Sequence, residues 1–211
     1  SVFSFASVPS LSQNIMPGAV KRLRERYPEL KMKIDVLKIE EAVNYLLLKK
    51  GELVAMSYKV SHAALISHPL ALASLVAIVP ERHALADRKA VSLNDLIAYP
   101  LVGIDPEDPF GRIIASAFRD NGYDYHLSIQ ARFAHTVHSL VRHGLGVAVI
   151  DEFSVSAREL PGIVRLAISE PTSLTTYALV PADEPLSMFA ENLISLLREQ
   201  MLAAIDNRCW G

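Results

Sequence analysis

Hydrophobic positions set the rhythm of the chain before any chemistry enters. Val2 and Phe3 followed by Phe5 alternate as a strand, and the small polar turn from Ser7 to Asn14 comes next. Met16, Val20, Leu23 and Tyr27 then recur at spacings of four, three and four, one face of a helix, with Arg22, Arg24, Glu25 and Arg26 on the other. Pro28 ends that helix. Leu30, Met32, Ile34 and Val36 alternate with Lys31, Lys33 and Asp35, which predicts a strand with one wet face. Glu40 to Lys50 returns to helical spacing through Val43, Leu46 and Leu47, with Gly51 as the expected residue just past its end. Leu53 to Ser57 reads as a short buried strand.

The run Ala71 to Val79 is almost wholly apolar and is expected to be one central strand leaving a first lobe for a second. Ser92 with Asp95, in place of the usual Glu, marks a capped helix start that Pro100 closes, and Leu101 to Ile104 forms a strand. The loop Asp105 to Arg112 leads into a helix with Ile113, Ile114, Ala117 and Phe118 inward and Gly122 as its stop. Leu127, Ile129, Ala131 and Phe133 alternate as a strand. Thr136 is placed to cap a helix that ends at Gly144, and Val147 to Ile150 is one more buried strand. Ile163 to Ile168 and Thr175 to Val180 are late strands that return to the first lobe. A long amphipathic helix follows through Met188, Leu193, Leu196, Leu197 and Met201. The prediction is an α/β protein of two Rossmann-like lobes joined by two crossover strands, with a ligand cleft between the lobes. The first lobe takes residues 1–79 and 166–211, and the second takes 80–165.

Composition narrows the function. The 211 residues, 51% of them hydrophobic, suit one large domain or two small lobes. With 21 basic and 23 acidic residues the net charge is −2, which offers no global field to draw the chain onto nucleic acid. The single cysteine, Cys209, excludes an internal disulfide and a cysteine-based zinc site and favours a reducing, cytoplasmic setting. No basic signal region opens the chain and no apolar run of about 18 residues occurs, so secretion and membrane spanning are not expected. Opening directly on a strand suggests a fragment of a longer protein.

Four landmarks occur together. They are MPGAVKRLRERYPELKMKID, LLLKKGELVAMS, VAIVPERHALADRKAVSLNDLIAYPLVGI and LVRHGLGVAVID. In that order and spacing the chain resembles the effector-binding domain of LysR-type transcriptional regulators, which is related to periplasmic solute-binding proteins, over nearly its whole length. Two local departures are Gly51-Glu52-Leu53-Val54-Ala55, where the family commonly has G-x-L-D-L-A, and Asp151, where it often has Pro. The family's N-terminal winged helix-turn-helix and linker helix are absent from this chain, so DNA binding belongs to residues outside it. The resemblance also implies a homodimer, with tetramers of the full-length protein. The strand 30–36 and the helix before it offer a contact surface.

Candidate ligand contacts lie where strands give way to helices. Ser7 and Ser10 sit in a strand-to-helix loop whose N–H and hydroxyl groups suit an anion, and the resemblance implies an effector-contact loop there, although Ser10 or Ser12 equally reads as a plain cap. Ser57 and Lys59 follow a strand at its carboxyl end, where ligands of open α/β sheets bind; a lysine in that place is also an ordinary surface charge. Asp105, Phe110 and Arg112 belong to the acidic loop, with Arg112 offering a fork for a carboxylate or a partner for a neighbouring acid. In that loop Asp108 and Pro109 read as cap and first helical residue. Phe133, His135 and Thr136 mark another strand-to-helix junction.

Other chemistries fare worse. His135, His138 and His143 form no recognised metal motif, and Gly144-Leu145-Gly146 is no dinucleotide fingerprint. No G-x-S-x-G, P-loop or kinase signature occurs, so no catalytic set, cofactor or metal is expected. The leading reading is a sensor of a small polar effector, a carboxylate or an amino-acid-like compound. A transporter's solute-binding protein is the alternative, and an α/β enzyme is the least supported.

Overall fold

The structure, a computed structural model, describes residues 1–155 and 159–207. In chain order its elements are β1 (Val2–Ser7), α1 (Pro9–Ser12), α2 (Met16–Arg26), β2 (Lys31–Val36), α3 (Ile39–Leu47), β3 (Val54–Met56), β4 (Leu65–Ala73) and β5 (Leu75–Pro80). Then come β6 (Ala90–Val91), α4 (Leu93–Ile97), β7 (Val102–Ile104), α5 (Pro109–Asp120), β8 (Ile129–Ala131), α6 (Ala134–Arg142) and β9 (Ala148–Asp151). The chain closes with β10 (Glu159–Leu160), β11 (Ile163–Ile168), β12 (Leu174–Pro181) and α7 (Met188–Asn207). The described residues divide into two compact units: 1–72 with 175–207, and 73–174.

The first unit is built on a five-stranded sheet in the order β2-β1-β3-β12-β4. β1 runs parallel to β2 and β3, and β12 is antiparallel to β3. Phe3 and Phe5 are two residues apart and so share a face; they pack 4.8 Å apart, with Phe189 of α7 5.9 Å from Phe3. Tyr27 meets Phe189 edge-on at 5.0 Å, which seats α7 against the end of α2. Met16 and Leu23, predicted inward, are buried, whereas the alternation of β2 does not produce a buried face: Ile34 and Val36 are 43% and 55% exposed. β2 is an edge strand, and its apolar residues stay uncovered. At the end of α3 the left-handed turn is taken by Lys49 (φ 54°) and not by Gly51, whose missing side chain instead makes room for the buried Tyr45 hydroxyl.

The second unit holds a five-stranded sheet along β10-β11-β5-β9 with β6 beside β11, plus the parallel pair β7-β8. The apolar run expected as one strand from 71 to 79 is two strands, β4 and β5, broken at Ser74. β11, expected in the first lobe, pairs antiparallel with β5 from Ile163↔Pro80 to Ala167↔Val76 and so lies in the second unit; β12 and α7 alone return. The reciprocal cap at α4 is as predicted: Ser92 Oγ accepts from the Asp95 N–H at 3.0 Å and the Asp95 carboxylate accepts from the Ser92 N–H at 2.9 Å. Those bonds, with Arg88 beside it, hold the Asp95 carboxyl below its ordinary range.

Candidate functional site

In the first unit the expected contacts gather at the carboxyl ends of β1 and β3, which the parallel pairing Ser7↔Ala55 brings side by side. The Ser10 hydroxyl lies 2.7 Å from that of Ser57, which is buried. Neither Ser10 nor Ser12 caps α1: its cap residue is Val8, with no side-chain cap bond, and the Ser12 hydroxyl donates to the Pro9 carbonyl at 2.8 Å. Ser7 is fully buried and its hydroxyl has no hydrogen-bond partner among the described residues. An unsatisfied buried hydroxyl costs about 1–3 kcal/mol, which favours any polar group that reaches it. Lys59 is exposed, two residues beyond Ser57.

In the second unit the remaining candidates belong to two helix starts. At α5, Asp108 is the cap: its carboxylate accepts from the Phe110 N–H at 2.9 Å, and Pro109 takes the first position. The half-buried Asp105 accepts from the Glu107 N–H at 2.9 Å, and Phe110 is buried. Arg112 is exposed and pairs with no acid among the described residues; its guanidinium reaches the Glu107 carbonyl at 3.4 Å. Gly111 is required here, because a Cβ would run into the Asp105 carbonyl. At α6 the cap residue is Phe133, not Thr136, and no side chain caps the helix. Thr136 lies inside the first turn because the Phe133 carbonyl already accepts the N–H groups of Thr136 and Val137, at 3.1 and 3.2 Å. The Ala134 and His135 N–H groups are thus left without a side-chain cap, next to exposed His135 and Thr136 side chains. The Phe133 and His135 rings stack 5.7 Å apart with 6° between planes.

Titratable groups with buried polar atoms also lie outside the predicted set. His138, one turn along α6, has a buried Nε2 without a hydrogen-bond partner among the described residues, and burial, with His135 and Arg142 nearby, pushes its pKa down to about 4. Asp151 ends β9 fully buried; burial pushes its carboxyl up to about 6, against the Ser154 hydroxyl at 2.5 Å and the Phe153 and Ser154 N–H groups at 3.1 Å. An acidic pair, Asp151-Glu152, directly after an apolar strand was the available signal for a buried polar site here. Among the described residues no three His, Cys, Asp or Glu side chains group so as to hold a metal ion. Among the same residues no helix is long and apolar enough to cross a membrane.

Two α/β units, with serine hydroxyls at strand ends of the first and two helix starts that follow strands of the second, have the two-lobe, periplasmic-binding-protein-like fold. Residues 1–202 match the LysR substrate binding domain model, and the chain belongs to that family. An uncharacterized HTH-type transcriptional regulator of Bacillus subtilis, YvbU, is 25% identical over 191 residues, 89% of this chain and 63% of that protein. The chain therefore spans less than two thirds of that relative's length. Among solved structures, HinK, a LysR family transcriptional regulator from Pseudomonas aeruginosa, superposes with a TM-score of 0.83 at 20% identity, over 95% of this chain and 70% of that one. The effector binding domain of QuiR in complex with shikimate gives 0.79 at 16% identity, over 94% and 96%.

Proposed function

We propose that this chain senses a small polar effector within a LysR-type transcriptional regulator and passes the signal to DNA-binding residues that lie outside its own 211. The observation that carries the reading is the uncapped start of α6, whose Ala134 and His135 N–H groups point to an anionic group. In the second unit Arg112 offers a positive charge and Asp105 a negative one, a mixture that suits an amino-acid-like ligand better than a simple anion; in the first unit Lys59 is an exposed cation. Ser7, Ser10 and Ser57 offer hydroxyls, and Phe110, Phe133 and His135 offer apolar and aromatic surface. The matching relatives are transcriptional regulators, which favours a switch over both an enzyme and a transporter's solute-binding protein.

The test is a thermal-shift screen of the chain against amino acids, their conjugates and small carboxylates. A ligand present at 100 times its Kd adds about 2.7 kcal/mol to stability. The reading expects a selective hit that Thr136→Ala or Arg112→Ala abolishes without unfolding the chain. Binding only of neutral apolar compounds defeats the carboxylate part.

The same family membership supports a homodimer through the uncovered face of β2 and α2, where Met16, Val20, Met32, Ile34 and Val36 form an apolar groove edged by Lys21 and Arg24. Sedimentation at about twice the 23.2 kDa of one chain is expected, and Ile34→Asp is expected to return it to one.

A further inference from the structure

The first unit holds a recess at the other end of β1 from Ser7. It is a cavity of about 270 Å³, with Val2 and Ser4 at the amino end of the strand, bounded by the end of α3, the start of β4 and the segment that joins β12 to α7. The landmark LLLKKGELVAMS supplies much of its wall through Leu46, Leu47, Lys49, Lys50, Gly51 and Glu52, and Leu65 and Leu186 add apolar surface. Lys49, left-handed at φ 54°, pairs with Glu184 at 3.2 Å, which ties α3 to the opposite wall. Against Gly51 stands an unsatisfied group. Tyr45 is 2% exposed, and its hydroxyl has no hydrogen-bond partner among the described residues. A Cβ on residue 51 would fall 2.0 Å from that oxygen, so the hydroxyl lies directly against a glycine of the cavity wall. Burial, with the Asp35 carboxylate acting in the same sense, pushes its pKa up to about 12, and the group stays a neutral phenol whose oxygen can accept a hydrogen bond.

Charge decides what the cavity can take. Glu52, Asp183 and Glu184 line it against Lys49 and Lys50, and Glu184 neutralises Lys49, which leaves two carboxylates against the exposed Lys50. The carboxyl end of α3 adds the partial negative charge of its helix dipole. A cation therefore meets acceptors on several sides, whereas an anion meets Lys50 alone. We propose that this cavity is a second ligand site, for a small organic ammonium compound whose charged nitrogen is held by Glu52 and the Tyr45 hydroxyl and whose apolar stem packs on Leu46, Leu65 and Leu186. The site lies at the far end of β1 from the serines proposed to meet the effector and does not depend on what that effector is.

Titration of the whole chain with butylammonium chloride, followed through the methyl signals in NMR spectra, tests it. The signals of Val2, Leu46, Leu65 and Leu186 move saturably. 1-Butanol and butyrate, which share the stem but not the cation, leave them in place. Glu52→Gln and Tyr45→Phe each weaken butylammonium binding about tenfold, the loss expected when one hydrogen bond to a charged group is removed. Asp183→Lys, in an exposed loop where folding is not at stake, also weakens it and stands in for either variant that fails to fold. Absence of saturable movement, equal movement with 1-butanol, or an affinity unchanged in folded Glu52→Gln or in Asp183→Lys overturns the proposal.

Discussion

α5 and α6 both start just after a strand of the pair β7-β8, but the two starts are built in opposite ways. α5 is closed by its own chain: Asp108 accepts from Phe110, Pro109 removes a donor, and Gly111 sits against the Asp105 carbonyl. α6 has only the Phe133 carbonyl beneath its first turn and no side-chain cap. A capping carboxylate occupies the donors that an anionic ligand needs and repels its charge, so a good cap and a good anion site exclude each other. Within one small sheet the chain thus provides a rigid start and an open one.

Substitutions break or sharpen that contrast. The largest effect is expected from Gly111→Ala, whose new methyl meets backbone and not a movable side chain; about 3 kcal/mol is lost, read from the urea midpoint. Next is pH, because α6 carries a half-buried imidazole. The folded state keeps His138 neutral down to about pH 4, so its contribution is complete above the unfolded pKa of 6.5 and is lost as pH falls from there towards 4. Screening of this partly exposed ring leaves about 1 kcal/mol per pH unit. Asp151 acts in the opposite sense: its raised pKa makes stability fall as pH rises from 3.8 to about 6. Between pH 4 and 6 the two slopes oppose each other. Urea midpoints should therefore fall with rising pH in His138→Phe and climb in Asp151→Asn.

Asp108→Ala comes third, costing about 1 kcal/mol of stability through the lost cap while effector affinity holds. The smallest stability effect is expected for Thr136→Ala, within about 0.5 kcal/mol because the side chain is exposed, yet this variant loses effector binding. If Asp108→Ala weakens binding and Thr136→Ala does not, the roles of the two helix starts are reversed.

The fold was largely legible because helix and strand periods are local. Met16 to Tyr27, Ile113 to Phe118 and Met188 to Met201 announced their helices, and Ser92 with Asp95 announced a cap that the structure contains. Register and neighbours were not legible. Ile34 and Val36 alternate like any half-buried strand, but only sheet order reveals that β2 lies at an edge. Ser74 interrupts an apolar run whose composition gives no break, since what stops the strand is a set of side-chain acceptors 78 and 97 residues away in the sequence. Candidate contacts were readable as loop positions, but not their local partners: Ser10 pairs with Ser57, and Thr136 falls inside the turn it was expected to cap.

The position of β12 bears on how the protein is made. It lies between β3 and β4 in the first sheet but is synthesised after the whole of the second unit. On a ribosome, β4 therefore emerges without its neighbour and waits, while Ala73–Leu174 already carries every strand of its own sheet. The second unit can fold during translation, whereas the first, although begun earlier, must be completed last, reversing the usual order of N-terminal parts first.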